Sequence, residues 1–132
     1  MKLSHVITDE VTQAAGAEGS DDLESTIVEP GMILEVRHVA VENKSHGYDR
    51  LVFGVADGLS FFQKEEVDNP DANDINWTRS TFLIPAGKKL RARLTGCTTG
   101  DDLHMTYEGF LHEENGEKTE GAFDRESRFE LK

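Results

Sequence analysis

In its 132 residues the chain has one cysteine, three prolines, one tryptophan and two tyrosines, and each scarcity closes off a class of protein. The lone thiol, Cys97, can form no intrachain disulfide and no thiolate zinc cage from one chain, a usage that suits synthesis in a reducing host cytoplasm. Long apolar runs are missing too. No stretch approaches the ~18 apolar residues of a membrane span. The start, Met1 to Val11, holds Lys2 but no apolar run of secretory-signal length, so a soluble protein is expected. Positive charge is scarce: 14 basic residues face 26 acidic ones, a net charge of -12, which repels phosphate backbones and anionic membranes. Neither nucleic acid nor a membrane is expected as a partner. The hydrophobic set is 36% of the chain, below the usual share of about 45–50%, which also counts glycine, so much of the sequence must be surface or tail around one core.

What is present is strand alternation with turn punctuation and no helical period. Residues 1–25 read as an arm or linker. Asp9 to Ser25, DEVTQAAGAEGSDDLES, is small and acidic, and Leu3, Val6 and Ile7 before it form a short strand or an anchor for a neighbouring subunit. Thr26 to Glu29 is a short strand candidate, and Pro30-Gly31 a turn. In the run from Met32 to Asn43, the residues Met32, Leu34, Val36, His38 and Ala40 share one parity, which makes His38 a hydrogen-bonded core residue. Leu51, Phe53 and Val55 alternate up to Asp57-Gly58, a hairpin signal, and Leu59 to Gln63 returns. Phe61 and Phe62 are adjacent, so one ring must leave the core face, and Phe62 is the outward candidate.

After a polar loop, VDNPDANDIN, Trp77 to Ile84 is strand and Pro85 to Lys88 a turn. From Lys89 to Thr95, Leu90, Ala92 and Leu94 alternate with Arg91 and Arg93, whose heads face water or a partner. Leu103, Met105, Tyr107, Gly109 and Leu111 line one face of a last strand. Residues 113–132 read as a charged tail in which Phe123 and Phe129 could dock on the sheet or a neighbour. The fold class is therefore all-β: an antiparallel β-sandwich or jelly roll over residues 26–112, with extended N- and C-terminal arms.

No catalytic constellation emerges. The five histidines His5, His38, His46, His104 and His112 lack the close spacing that places two rings on one metal, so no metal or other cofactor is expected. Asp68, Asn69, Asp71, Asn73 and Asp74 offer oxygens for calcium without the glycine and distal glutamate of the helix-loop-helix calcium site, and a solvated loop is the simpler reading. Cys97 sits between Gly96 and Thr98 with no local base, and no serine lies in a G-x-S-x-G context. The chain reads as a non-enzyme.

Several strings together resemble the jelly-roll capsid decoration, or cement, proteins of tailed bacteriophages. They are Val28-Glu29-Pro30-Gly31, Val52-Phe53-Gly54-Val55-Ala56-Asp57-Gly58, Ile84-Pro85-Ala86-Gly87-Lys88, Leu90-Arg91-Ala92-Arg93-Leu94, Gly100-Asp101-Asp102-Leu103 and Tyr107-Glu108-Gly109, spread over about two thirds of the chain. The resemblance implies a non-enzymatic virion protein on the capsid surface, partnered by the major capsid protein, commonly a homo-oligomer (a trimer), and it carries over no catalytic residue. The residues expected at interfaces are Leu3, Val6, Ile7, Phe62, Arg91, Arg93, Phe123 and Phe129. A carbohydrate- or receptor-binding β-sandwich is the alternative, with Trp77 as its aromatic, and a cupin-like metalloenzyme is a third reading that the histidine spacing weakens.

Overall fold

Alternating apolar and polar side chains can bury one face only as strands, and the computed structural model, which describes residues 3–114, has nine of them and no helix among those residues. They are β1 (Leu3–Ala14), β2 (Ser20–Glu24), β3 (Met32–Asn43), β4 (Arg50–Asp57), β5 (Ser60–Asp68), β6 (Asn76–Trp77), β7 (Phe82–Pro85), β8 (Lys89–Thr95) and β9 (Asp102–Glu113). All pairings are antiparallel. The first sheet has the order β1-β9-β3-β6, with β7 also on β3, and the second has the order β2-β8-β4-β5. If β6 and β7 are counted as one interrupted strand, the chain passes between sheets at every connection except the β4–β5 hairpin, which is the winding of a jelly roll. The expected sandwich is what forms.

Between the sheets lie Leu23, Val36, Val39, Val41, Leu51, Phe53, Ile84, Leu90, Leu94, Leu103 and Met105, all buried. Each such side chain is worth roughly 1.5–3 kcal/mol on removal from water. Turn chemistry brackets the strands. Gly31 has φ 81° behind Pro30, and the Met32 amide donates to the Glu29 carbonyl at 3.1 Å, the type II pattern. In the hairpin, Asp57 pairs with Ser60, leaving Gly58-Leu59 as the two-residue loop with Gly58 at φ 59°. Positive φ at the first loop residue is the type II′ form, so Asp57 closes the strand instead of sitting in the turn. Thr26 to Glu29 is not a strand but a connector, held to the β7–β8 turn by the Val28 amide on Lys88 O (2.9 Å) and the Gly87 amide on Val28 O (2.8 Å).

The N-terminal arm is corrected. β1 is a full member of the first sheet, in unbroken register with β9 from Leu3↔Glu113 to Ala14↔Asp102. β2 lies in the second sheet against β8, with Leu23 fully buried and Asp22 and Glu24 opposite Arg93 and Arg91. The acidic composition that suggests a linker is the complement of a basic strand. The small residues of the segment make the crossing between sheets: Ala15 is buried and exchanges backbone bonds with Asp101 (2.9 Å) and Gly100 (2.8 Å). The C-terminal tail, with Phe123 and Phe129, lies outside the described residues.

The parity expected for β3 is also corrected. Leu34 and Val36 face the core, but so do Val39, Val41 and Asn43, because the β3–β9 register slips between Val36↔Gly109 and His38↔Glu108. Arg37 is the extra residue of a β-bulge, and beyond it the odd-numbered residues face inward, which moves His38 to the outer face. Gly109 makes room: a Cβ there would lie 1.9 Å from the Glu35 carbonyl oxygen and 3.0 Å from the Arg37 nitrogen. A second bulge, between Phe53↔Glu65 and Gly54↔Gln63, is matched by Gly54, whose Cβ would meet the Phe62 carbonyl oxygen at 2.2 Å.

Gly109→Ala should therefore force the two central strands of the first sheet apart. The expected loss is about 1–3 kcal/mol, the cost of overpacking, read as a lower urea midpoint at unchanged slope, whereas Thr106→Ala on the same strand should move it far less.

Candidate interaction surfaces

The outer face of the second sheet carries a charge lattice. Opposed registers set Asp22 against Arg93 and Glu24 against Arg91. Arg93 donates to both Asp22 oxygens at 2.8 and 3.0 Å, Arg91 lies 2.6 Å from Glu24 and 3.4 Å from Asp22, and the Lys89 amine reaches Glu24 at 2.8 Å. Neither ring is in the core: Phe62 is 52% exposed, and Phe61 lies on this outer face. Both guanidinium carbons stand over it, at 5.2 Å (Arg91) and 5.0 Å (Arg93) from its centre, and its edge lies across Gly54. The arrangement covers Val52 and Ala56, which are buried although outside the inter-sheet core. Arg91 is itself buried. Cation–π contacts of this kind add about 0.5–2 kcal/mol each, depending on desolvation. The face is thus tied to itself.

The outer face of the first sheet is different. Its registers align Val6 with Phe110, Glu35 and Leu83, and Glu10 with Thr106, Ala40 and Trp77. Val6 (78% exposed), Leu83 (65%), Trp77 (58%) and Ile75 (53%) stand out as exposed apolar groups. His38, carried outward by the bulge, packs on Trp77 with ring centres 5.7 Å apart at 47°.

On the same face Ser4, His112 and Glu35 form a chain, with the Ser4 hydroxyl 2.7 Å from His112 Nδ1 and His112 Nε2 2.8 Å from Glu35. With Nε2–H donating to the carboxylate, Nδ1 accepts from the serine. Glu35 is also paired with Arg37, whose guanidinium stands over Phe110, and bonds from Arg37 and His112 hold its carboxyl below the usual range. The residue types are those of a hydrolytic triad, but they lie on the face of a sheet, and β9 has both its edges occupied by β1 and β3. Its amides serve the ladder. The chain does the work of cross-strand hydrogen bonds.

At the loop end of the sandwich, Asp101 is a buried carboxylate that accepts from the Asn43 amide (2.8 Å) and the Thr98 backbone (2.9 Å) and meets His46 Nδ1 at 2.6 Å. Burial pushes its pKa up, but the bonds from Asn43, His46 and Thr98 outweigh burial and leave it below the ordinary 3.8. Half-buried Cys97 is pushed up to about 11, by burial first and then by Asp21, Asp101 and Asp49, against one hydrogen bond from Asn43. It is held as a thiol, not poised as a nucleophile. In the loop considered for calcium, Asn69 (φ 51°) and Asn73 (φ 63°) take left-handed turns, and their amides bond the Asp49 and Asn43 carbonyls at 2.8 and 2.9 Å. Among the described residues no three His, Cys, Asp or Glu side chains gather closely enough to hold a metal ion. A small, largely apolar recess beside β1 is lined by Ile7, Ile27, Val28, Leu34 and Leu111, with Thr26, Glu29 and Tyr107 as its polar members.

Of the expected interface residues, Leu3 opens β1, Val6 is the exposed apolar group on it, and Ile7 is half-buried against the core. Phe62, 52% exposed, pairs with Val55 at the rim of the second sheet. Arg91 and Arg93 are paired with Glu24 and Asp22 of β2. The sequence reading missed Leu83, Ile75 and Phe61, and the lattice partners Asp22 and Glu24; the spacing of Asp22-x-Glu24 against Lys89-x-Arg91-x-Arg93 was the available signal.

No family model matches the chain and no curated protein matches it. Among solved structures it is similar to a chain in the structure of infectious bursal disease virus Gx strain, at 11% identity and a TM-score of 0.33, over 98% of this chain and 48% of that one. It thus spans about half the length of that chain. A likeness at this level is geometric and assigns no role.

The ionisable groups Glu24, Asp101 and Cys97 lead to two predictions. Glu24, which burial alone would raise, is held below the ordinary 4.5 by Lys89 and Arg91, and Asp101 is held below 3.8. Both therefore bind protons more readily unfolded than folded, so their stabilisation is complete above those values and is lost as pH falls through the lower folded pKa. Urea midpoints should be level near neutrality and drop below about pH 4, with a shallower drop in Glu24→Gln. Cys97 should be unreactive to a thiol reagent at pH 7.5 in the native protein, reacting at the rate of a free thiol only in denaturant.

Proposed function

We propose that the chain is a non-enzymatic structural protein of a virion. In this reading it is a decoration or cement subunit that sits on the capsid surface and binds the major capsid protein through the outer face of its first sheet, as a homo-oligomer. The observation that carries the reading is the contrast between the two outer faces. One is closed by its own salt bridges and Phe61, and the other leaves Val6, Leu83, Trp77 and Ile75 uncovered on a broad wall. Apolar groups spread over a flat sheet suit another protein surface better than they suit a small substrate.

The jelly roll is shared by capsid domains, lectins and cupins, so the fold alone does not choose among them. A cupin-like centre would need histidines aimed between the sheets. Here the interior is filled with aliphatic and aromatic side chains, and all five histidines lie at the surface or on the outer face. The net charge of -12 would keep many displayed copies from clumping.

A carbohydrate-binding module is the second reading, favoured by one feature: Trp77 presents its ring beside His38 on an open sheet. Sedimentation with capsids that lack the protein separates the two. Co-sedimentation weakened at least tenfold by Leu83→Asp is the expected result, and about 1.4 kcal/mol is the corresponding loss. Absence of co-sedimentation, with saturable glycan-array binding abolished by Trp77→Ala, would replace the virion reading with the lectin-like one.

A further inference from the structure

A sheet edge is a row of unpaired amides and carbonyls, and folded proteins guard such rows with short strands, proline, lysine or bulges. The edges of this sandwich carry those guards except at one place. β2 has only five residues, β6 two and β7 four, with Pro85 closing β7. β5 is long, but it carries Lys64, Glu65 and Glu66 and is broken by the bulge opposite Gly54. β1 has only the acids Asp9 and Glu10 as guards: it is twelve residues long, holds no proline or lysine, and runs without a register shift against β9 on its one paired side. From Ser4 to Ala14 every residue but Ile7 and Val11 is exposed, so nothing among the described residues folds over it.

We propose that β1 is a self-association strand, pairing antiparallel with β1 of a second copy about a two-fold axis through Ile7. The strand's own charges select this occupant and this register. A two-fold axis normal to the sheet sets residues of like face opposite one another. With Ile7 on the axis, His5 of each copy faces Asp9 of the other, Ser4 faces Glu10, and exposed Val6 faces Thr8. Moving the axis to Thr8 sets Ile7 against Asp9 and Val6 against Glu10, and moving it to Asp9 or Glu10 stacks carboxylate on carboxylate. Moving it to Val6 sets His5 against Ile7 and gives up the His5–Asp9 pairs.

The Asp9 carboxylate now accepts the Glu10 amide at 2.8 Å and the Tyr107 hydroxyl at 3.2 Å, and a partner strand would compete for the first of these. Pairing in this way continues the first sheet across the dimer and keeps both copies' exposed outer faces, with Leu83 and Trp77, on one side. The proposal does not depend on the virion reading, and it calls for a two-fold pair in place of the three-fold ring that the family resemblance implies.

The test is the mass of the purified full chain by sedimentation equilibrium, at low and moderate salt because two copies of net charge -12 repel each other at long range. A dimer is expected, its fraction rising with salt. Val6→Lys/Thr8→Lys sets lysine opposite lysine across the axis and should raise the dissociation constant at least tenfold, with the circular dichroism spectrum and urea midpoint of the folded chain retained. Ile7→Cys in a Cys97→Ser background should form a disulfide-linked dimer on mild oxidation, since directly opposed strand residues lie about 4.5–5.5 Å apart at Cα, inside disulfide reach, while Val11→Cys should not. A monomer at all concentrations, a trimer, or a dimer indifferent to the lysines would overturn the proposal, and cross-linking at position 11 but not 7 would overturn its register.

Discussion

The geometry of the whole sandwich hangs on one backbone contact, the approach of Glu35 and Arg37 in β3 to Gly109 in β9. β3 and β9 are the long inner strands of the first sheet, and the apolar residues of β3 change parity at Arg37. The bulge at Arg37 adds a residue and a twist, and lets β3 bury Leu34 and Val36 at one end and Val39 and Val41 at the other. Only a residue without a side chain can face it. The second sheet solves the same problem in the same way, with Gly54 opposite the bulge in β5. His38, and with it the character of the outer surface around Trp77, is a by-product of that extra residue.

The acidity of the chain divides into charge that is used and charge that is not. Asp22 and Glu24 are consumed by Arg91 and Arg93, Glu66 by Arg50, Asp57 by Lys88, and Asp101 by the loop network. Exposed pairs among these contribute about 1 kcal/mol or less, but the lattice around Phe61 is denser, and Arg91 is buried beneath it. Because so much basic charge is spent inside the chain, the surplus of carboxylates stays spread over the surface with little local compensation.

The strands β3, β4, β8 and β9, the turns at Pro30-Gly31, Gly58 and Gly87, and the two-sheet class were legible in the sequence, since each rests on local rules of alternation and φ, whereas the single strand expected from Trp77 to Ile84 is broken between Trp77 and Phe82 into β6 and β7. What was not legible depends on a partner distant in the chain. The segment from Asp9 to Ser25 looks like linker because its acids have no neighbours to pair with locally; their partners lie some seventy residues on, in β8. His38 was misplaced because alternation carries no mark of a bulge, and the mark that exists, Gly109, lies on another strand. Phe61 and Phe62 both lie outside the core, and the place of Phe61 on the outer face beneath two arginines of β8 had no local mark.

Long-range charge and short-range contact therefore have separate addresses on this molecule. A field of net charge -12 draws any basic surface and repels any acidic one, yet it acts over a Debye length of about 8–10 Å and names no register. Register must come from groups that remain uncommitted after folding. The second sheet has few, because its charged side chains are already paired. The uncommitted groups concentrate on the first sheet: an apolar scatter on its outer face and the bare backbone of β1 at its border. Both belong to the same wall, and a contact that used one would bring the other to within a strand or two of the same partner. That adjacency is why binding by this chain should be steep in salt but specific in position, with ionic strength governing how often partners meet and the first sheet governing where they hold.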